Sequence, residues 1–162
     1  RGNLKPMVDA ESVLSTDDFA VTIDAMATTL HQWVIAVHNT GLFSNDSRII
    51  SFTSEGNQRA WRNYAAVSAA KASLEAISRS IALEFAPYGI RSNCIQAGVT
   101  RTRSFQMIPN HEEIESHTVE RNPYSRLTTP EDVANVVYLL CRVEASWING
   151  AIIPVDGGER IV

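Results

Sequence analysis

Cysteine is scarce in this sequence, and the arrangement of cysteine and histidine excludes two classes of protein. The 162 residues include only Cys94 and Cys141, which lie far apart. Such spacing fits neither a disulfide-stapled scaffold nor a paired-cysteine metal site. The four histidines show neither the HExxH nor the HxxxH pattern of metal ligands. The sequence therefore predicts no metal site, and we expect two buried free thiols in a reducing, cytoplasmic environment.

The sequence also lacks a long apolar run and a large excess of charge of one sign. Hydrophobic residues make up 44% of the chain and charged residues 20%, with a formal net charge of −4. The longest apolar stretch, residues 136–141, is far shorter than the roughly 18 residues that suggest a membrane span. A mildly acidic chain with mixed charges lacks the excess of basic residues that binds nucleic acid or anionic lipid. These features predict one globular domain whose partner is neither a nucleic acid nor a membrane.

Apolar periodicity and turn signals predict alternating helices and strands. Ser15 and Thr129 stand before acidic residues as helix N-caps, and Pro87 with Gly89 ends the longest periodic segment. The predicted order is helix 15–39, strand 48–54, helix 61–86, strand 90–96, helix 129–141 and strand 151–155. Residues 97–128 are weakly patterned and read as a long functional loop that can include a short helix at 111–122. This alternation predicts an α/β fold in which helices cover both faces of a parallel sheet.

Tyr64 and Lys71 are the main candidate catalytic pair. Seven residues at about 100° each return Lys71 to the helix face of Tyr64, about 10 Å along the axis. Both side chains can therefore address one cleft at the carboxyl end of the first strand, where open parallel sheets bind ligands. A lysine cation near a phenol favours the phenolate, and it can also hold a sugar hydroxyl. Taken alone, the pair is weak evidence for catalysis, and an amphipathic tyrosine beside a solvated lysine is the favoured alternative.

The segment around this pair, NYAAVSAAKASLEAISRSIALEFAPYGIRSNCIQAGVTRT, resembles the short-chain dehydrogenase/reductase family. The TPEDVA helix start and the NGAIIPVDGG ending follow at the family's spacing, so the resemblance covers about residues 12–162. Most members place the tyrosine four residues before the lysine, but position 67 here is valine and Tyr64 lies seven before Lys71. That spacing and the preceding SEGNQRAWRNY are similar to the enoyl-acyl-carrier-protein reductase branch. The resemblance implies a Rossmann-type, doubly wound parallel sheet.

The resemblance also implies a reaction and the residues that perform it. A nicotinamide cofactor, NADH or NADPH, is expected to give hydride to the β-carbon of an enoyl thioester carried by acyl-carrier protein or coenzyme A. Tyr64 is the expected donor to the thioester oxygen, which gains enolate character in the transition state. Lys71 is expected to hold the nicotinamide ribose. Ser54 stands where many enoyl reductases have a second tyrosine, and we consider two roles for it: donation to the substrate carbonyl, or capping of a strand end.

Further residues are assigned to the cofactor and the substrate by the same resemblance. The cofactor-binding candidates are Lys71, Phe52, Thr53, Gly98, Val99, Thr100 and Thr102. Phe52 and Thr53 are expected to border the nicotinamide pocket, and the turn that begins at Gly98 is expected to approach the carboxamide through backbone groups. A structural glycine in a tight turn is the alternative for Gly98. Residues 103–122, with Phe105 and Met107, are expected to form an apolar lid over an acyl chain; the alternative is an ordinary surface loop.

Two departures from the family pattern keep other functions open. The stretch 24–27 lacks the asparagine that serves a proton relay in members outside the enoyl branch, which favours the enoyl interpretation over a carbonyl-reducing one and leaves a catalytically silent subunit open. The sequence has no G-x-x-x-G-x-G turn of the kind that binds a cofactor diphosphate. We therefore expect residues 1–162 to be the C-terminal portion of a single Rossmann-fold reductase domain. The alternative functions are a ketoreductase or alcohol dehydrogenase with atypical tyrosine spacing, and a catalytically silent subunit. The resemblance further implies a homo-oligomer, commonly a tetramer.

Overall fold

The chain folds around a parallel β-sheet. The computed structural model describes residues 2–162. Its strands, hydrogen-bonded in this order, are β1 (Ser47–Ser54), β2 (Ile90–Ala97) and β3 (Ile152–Val155). Both pairs are parallel, with Ser51 opposite Cys94 and Cys94 opposite Ile152. Parallel neighbours need crossover connections, and the intervening helices supply them. The predicted α/β class and the predicted strands are confirmed.

Helices cover both faces of this sheet. They are α1 (Thr16–Ile23), α2 (Thr29–Asn39), α3 (Ala65–Glu84), α4 (His111–Arg121) and α5 (Pro130–Leu140). Successive strand residues point to opposite faces. On β2 the Ser92 hydroxyl lies 2.8 Å from that of Ser78 on α3, whereas Ile95 packs with Leu140 of α5. Thus α3 lies on one face and α5 on the other, as the alternation of elements predicts.

The first predicted helix is interrupted by a π-helical segment. Residues Asp24–Thr28 separate α1 from α2, where apolar spacing predicts one continuous helix over 15–39. The hydroxyls of Thr28 and Thr29 both donate to the Asp24 carbonyl oxygen, at 3.2 and 2.6 Å. Hydroxyls that compete for a helical carbonyl loosen the regular backbone ladder. Hydrophobic periodicity carries no information about this competition.

The helix ends follow the predicted capping chemistry. Ser15 and Asp18 form a reciprocal capping box at α1, and Thr129 and Asp132 form another at α5. After α3, Gly89 takes a φ of +73°, and a Cβ there would lie 2.1 Å from a backbone oxygen. The turn from α3 into β2 therefore requires glycine.

One expectation about the cysteines is wrong. Cys94 is a buried thiol in β2, but Cys141 is exposed. Cys141 is the C-cap residue of α5, and the neighbouring Leu140 fills the buried position. The apolar stripe of a helix ends where the helix ends, so the last residue of an apolar run need not face the core.

Two further observations concern the part of the chain that the structure describes. No helix there is long and apolar enough to cross a bilayer. No three side chains of the metal-ligating types are grouped there.

Candidate active site

A cavity of about 710 Å³ lies at the carboxyl ends of β1 and β2. Open parallel sheets bind ligands at this edge. The predicted site residues that line it are Thr53, Ser54, Tyr64, Lys71, Gly98, Val99, Thr100, Thr102, Phe105 and Met107. The fold therefore brings together predicted residues from two strand ends, from α3 and from the loop that follows β2.

Tyr64 is positioned by the turn that precedes α3. The helix predicted over 61–86 begins only at Ala65, so Tyr64 is its N-cap residue and lies before its first turn. The Tyr64 ring lies against Gly56. A Cβ on Gly56 would come within 2.5 Å of the Tyr64 Cε1 and 3.5 Å of the Ser54 Oγ. Asn63, immediately before Tyr64, has a φ of +61°, in the left-handed region that asparagine tolerates better than most residues. Glycine at position 56 and asparagine at position 63 thus allow the ring to sit on the cavity wall.

Lys71 lies two turns along α3 and lines the same cavity. Its Nζ donates to the Phe52 carbonyl oxygen at 2.7 Å. Burial lowers the pKa of the Lys71 ammonium, while the negative charge of the Glu75 carboxylate acts in the opposite direction. A partly desolvated and oriented ammonium is a strong hydrogen-bond donor. One phenol and one ammonium therefore face one cavity, as the spacing predicts.

Phe52 is placed differently from the other predicted residues. Its side chain is 48% exposed, whereas Ser51 and Thr53 on either side are buried. Because strand residues alternate, the Phe52 ring points away from the face that Thr53 presents to α3. The ring is not part of the cavity wall, and Phe52 reaches the site through its carbonyl oxygen, which accepts from Lys71.

Ser54 offers an unused hydroxyl at the end of β1. Its Oγ is buried and has no hydrogen-bond partner among residues 2–162. Although Ser54 precedes the short 3-10 turn Glu55–Asn57, its side chain does not cap that turn. Of the two roles considered for Ser54, capping is therefore not observed, and donation to a substrate stays a prediction.

Glu75 holds the end of β1 in place behind the cavity wall, and the sequence analysis did not identify it. Its Oε1 accepts from the Thr53 hydroxyl and from the Asn57 side-chain amide, at 2.6 Å each. The residue is only 5% exposed. These two bonds fix the end of β1 and the turn that contains Gly56. The available signal was a carboxylate one helical turn beyond Lys71, on the helix face that addresses the sheet.

Gly98 is required by packing. A Cβ there would lie 2.5 Å from the Thr128 Oγ1, 2.7 Å from the Glu159 Oε2 and 3.0 Å from the Asp156 Cα. The next amide, of Val99, donates to the Glu159 Oε2 at 3.1 Å. The structure thus supports the alternative of a structural glycine, and the Val99 N–H is engaged with a carboxylate.

Substitution of Gly98 by alanine is expected to lower the free energy of unfolding of the full-length protein by about 1–3 kcal/mol, because overpacking at rigid positions costs this much. Urea denaturation measures the change. In a Thr128→Ala background the cost is expected to be smaller, since the nearest atom is gone. A change below about 0.5 kcal/mol, within the range of ordinary surface substitutions, would contradict the packing explanation.

The weakly patterned loop forms a lid with a helix inside it. Phe105 is 8% exposed and makes an edge-to-face contact with His111, at the start of α4. Met107 is more exposed, at 45%, and Ile108 joins both residues on the cavity wall. The predicted short helix at 111–122 is confirmed as α4. An apolar wall of this kind suits an acyl chain better than a charged ligand.

Other residues that sequence reasoning missed complete the cavity. They include Gly2, Leu4, Met26, Trp61, Arg62 and Asn63, whereas Asn110, Glu113 and Ile114 lie within the predicted segment 103–122. Gly2 packs so tightly that a Cβ would meet the Val67 Cγ2 at 2.5 Å and the Met26 sulfur at 2.9 Å. The first residues show no periodicity, so nothing in the sequence predicts that they return to the site.

Comparison with known proteins shows which family the chain resembles. The family model described as enoyl-(acyl carrier protein) reductase matches residues 4–159. The enoyl-[acyl-carrier-protein] reductase [NADH] FabI of Escherichia coli is 37% identical over 115 residues, which are 71% of this chain and 44% of that protein. The 3-oxoacyl-[acyl-carrier-protein] reductase FabG of Aquifex aeolicus is 34% identical over 156 residues, which are 94% of this chain and 57% of that protein.

The solved structures agree with the sequence relatives. The Bacillus cereus enoyl-acyl carrier protein reductase, crystallised with NADP+ and an indole naphthyridinone, superposes with a TM-score of 0.84 at 32% identity. The match covers 91% of this chain and 57% of that one. The chain thus spans about half the length of the relatives it matches.

Proposed function

Because the chain belongs to the enoyl-acyl-carrier-protein reductase branch of the short-chain dehydrogenase/reductase family, we propose that its protein is an NAD(P)H-dependent reductase of the 2,3 double bond of an enoyl thioester. The observation that carries the proposal is the shared cavity of Tyr64 and Lys71 beneath an apolar lid. Residues 1–162 supply the C-terminal portion of the Rossmann-fold domain in this proposal. The protein is proposed to be cytoplasmic.

The residues present fit the nicotinamide end of a dinucleotide. The cavity is large enough for a nicotinamide riboside together with part of an acyl chain. Lys71 offers a fixed ammonium for the ribose hydroxyls, and the turn from Gly98 to Thr102 borders the same space. The cofactor, NADH or NADPH, supplies hydride when it is bound. The chain's own residues hold it, orient the thioester and exclude water.

In this mechanism Tyr64 stabilises the negative charge that develops on the thioester oxygen. The Tyr64 hydroxyl would donate a hydrogen bond to the thioester oxygen, where negative charge would develop during the reduction. The proton that the α-carbon needs would come from solvent water. The nearby Ser54 hydroxyl, which lacks a partner within the described residues, is a second proposed donor. Phe105 and Met107 contact the acyl chain from the lid.

A ketoreductase is the second candidate, and the similarity to the 3-oxoacyl reductase of Aquifex aeolicus favours it. Turnover of crotonyl and acetoacetyl thioesters by the full-length protein separates the two. We expect kcat/KM for the crotonyl thioester to be at least about tenfold higher, because a Tyr64–Lys71 pair seven apart is typical of the enoyl branch. A reversed ratio would establish the ketoreductase, and no turnover of either would favour the catalytically silent subunit.

Homo-oligomerisation also belongs to the proposal. Apolar side chains remain exposed in α3, after α5 and at the C-terminus, among them Leu83, Trp147 and Ile161. Exposed apolar groups in such numbers are typical of subunit interfaces.

A further inference from the structure

One buried arginine joins the lid helix to two segments of the site. Arg121, in the last turn of α4, is 10% exposed. Its Nη2 donates to the Glu55 Oε1 at 2.5 Å and to the Glu159 Oε1 at 2.8 Å. Glu55 and Glu159 are also largely buried, with side-chain exposures of 13% and 1%. Of these three side chains, which we call the Arg121 cluster, Glu55 lines the cavity and Glu159 accepts from the Val99 amide.

Each carboxylate of the Arg121 cluster is attached to a different part of the site. Glu55 lies between Ser54, with its unused hydroxyl, and Gly56, on which the Tyr64 ring rests. The Oε2 of Glu159 accepts a hydrogen bond from the Val99 amide, and it would lie 2.7 Å from a Cβ placed on Gly98. The Arg121 guanidinium therefore links the lid helix α4 to the end of β1 through Glu55 and to the end of β2 through Glu159.

The electrostatics of the cluster make the arginine indispensable to it. Two buried carboxylates face each other across one cation, with Arg59 as a weaker, exposed partner of Glu55 at 3.7 Å. Burial raises the pKa of the Glu159 carboxyl, and the nearby Glu55 charge acts in the same direction. Removing one partner of a buried ion pair leaves an uncompensated charge. Without the guanidinium, the two carboxylates would repel each other and separate.

We propose that Arg121 is a positioning residue that fixes the lid helix and the Ser54–Gly56 turn relative to each other and thereby sets the geometry of the Tyr64 hydroxyl and of the acyl site. The expected loss of kcat/KM rests on the proposed function, whereas the expected change in amide exchange of the lid does not. Misplacement of a catalytic group by about 1 Å can reduce the rate by about 100-fold. A cluster that ties three segments to one nitrogen is well suited to prevent such displacement.

The test compares Arg121→Met, Arg121→Lys and Arg126→Met in the full-length protein. Arg126 is the matched control, because it also pairs with a carboxylate, Asp132, but on the exposed side of α5. Since a single nitrogen of Arg121 makes both contacts, a lysine ammonium can retain them. Hydrogen exchange of residues 102–121 is measured without substrate, and kcat, KM and the cofactor Kd are measured with the thioester that the wild-type protein reduces.

In Arg121→Met we expect amide exchange in residues 102–121 to accelerate at least about tenfold, and kcat/KM to fall by about 10- to 100-fold. The cofactor Kd is expected to rise less than kcat/KM falls, because Lys71 is untouched and only the support of the Val99 turn is weakened. Arg121→Lys is expected to recover most of both changes, and Arg126→Met to show neither. Unchanged lid exchange in a folded Arg121→Met, or equal losses in Arg121→Lys and Arg121→Met, would overturn the proposal. If the wild-type protein reduces no enoyl thioester, the proposed function fails, but the exchange comparison still decides the role of Arg121.

Discussion

Replacing Tyr64 by phenylalanine is expected to reduce the kcat of the full-length protein by about 10²- to 10³-fold, the usual cost of removing one donor to a developing oxyanion. The variant keeps the ring that rests on Gly56, so the turn before α3 retains its packing. It loses only the hydroxyl that faces the cavity. Steady-state turnover of a crotonyl thioester with saturating cofactor measures the effect.

The matched control for Tyr64→Phe is Tyr88→Phe. Tyr88 is 56% exposed and contacts His38 and Phe85 through its ring, away from the cavity. Removal of its hydroxyl is expected to leave kcat within about twofold of wild type, as is usual for surface changes. The Tyr64→Phe variant should also bind the cofactor normally. Wild-type turnover in Tyr64→Phe would transfer the donor role to another group, and Ser54 would be the next residue to test.

The location of the site was predictable because local patterns and a general rule of sheet architecture agree on it. The seven-residue spacing predicts that Tyr64 and Lys71 address one cleft, and they do, although Tyr64 is the N-cap residue of α3 and not part of the helix. Parallel sheets place ligands at the carboxyl ends of their strands. The pattern of alternating elements was sufficient to predict both covered faces of the sheet. The side-chain period of a strand also predicts that Phe52 and Thr53 cannot face the same way, which the resemblance to a family did not take into account.

The remaining parts of the site depend on contacts between residues far apart in the chain. The role of Glu75 follows only from the hydrogen bonds that Thr53 and Asn57 donate to it in the folded chain. Gly2 reaches the cavity by packing between Val67 and Met26, which no local pattern signals. The Arg121 cluster joins segments that are separate in sequence, and a charged residue at a helix end more often faces solvent. The spacing of apolar residues along the chain carries no information about ion pairs between residues that are far apart in sequence.

Replacing Lys71 by methionine is expected to raise the cofactor Kd about 10- to 100-fold, because a hydrogen bond from a charged group contributes about 1.5–3 kcal/mol. The kcat is expected to fall as well, since the cation that favours negative charge on the Tyr64 oxygen is gone. Stability should change little: the ammonium is desolvated in the folded chain, so its removal relieves that cost while it leaves the Phe52 carbonyl unpaired. Fluorescence titration with NADH and NADPH, beside thermal unfolding, separates the loss of binding from the loss of fold.

The pH dependence of cofactor binding tests the same residue without removing it. Burial lowers the pKa of the Lys71 ammonium below the usual range for a lysine. Its charged form donates to the ribose, so cofactor affinity should decline as the pH rises through that lowered pKa, earlier than for an ordinary lysine. In Lys71→Arg the guanidinium stays protonated throughout this range, and the alkaline decline should disappear even if the affinity itself is lower. An alkaline decline that is identical in the wild type and in Lys71→Arg would assign the titration to another group and remove Lys71 from cofactor binding.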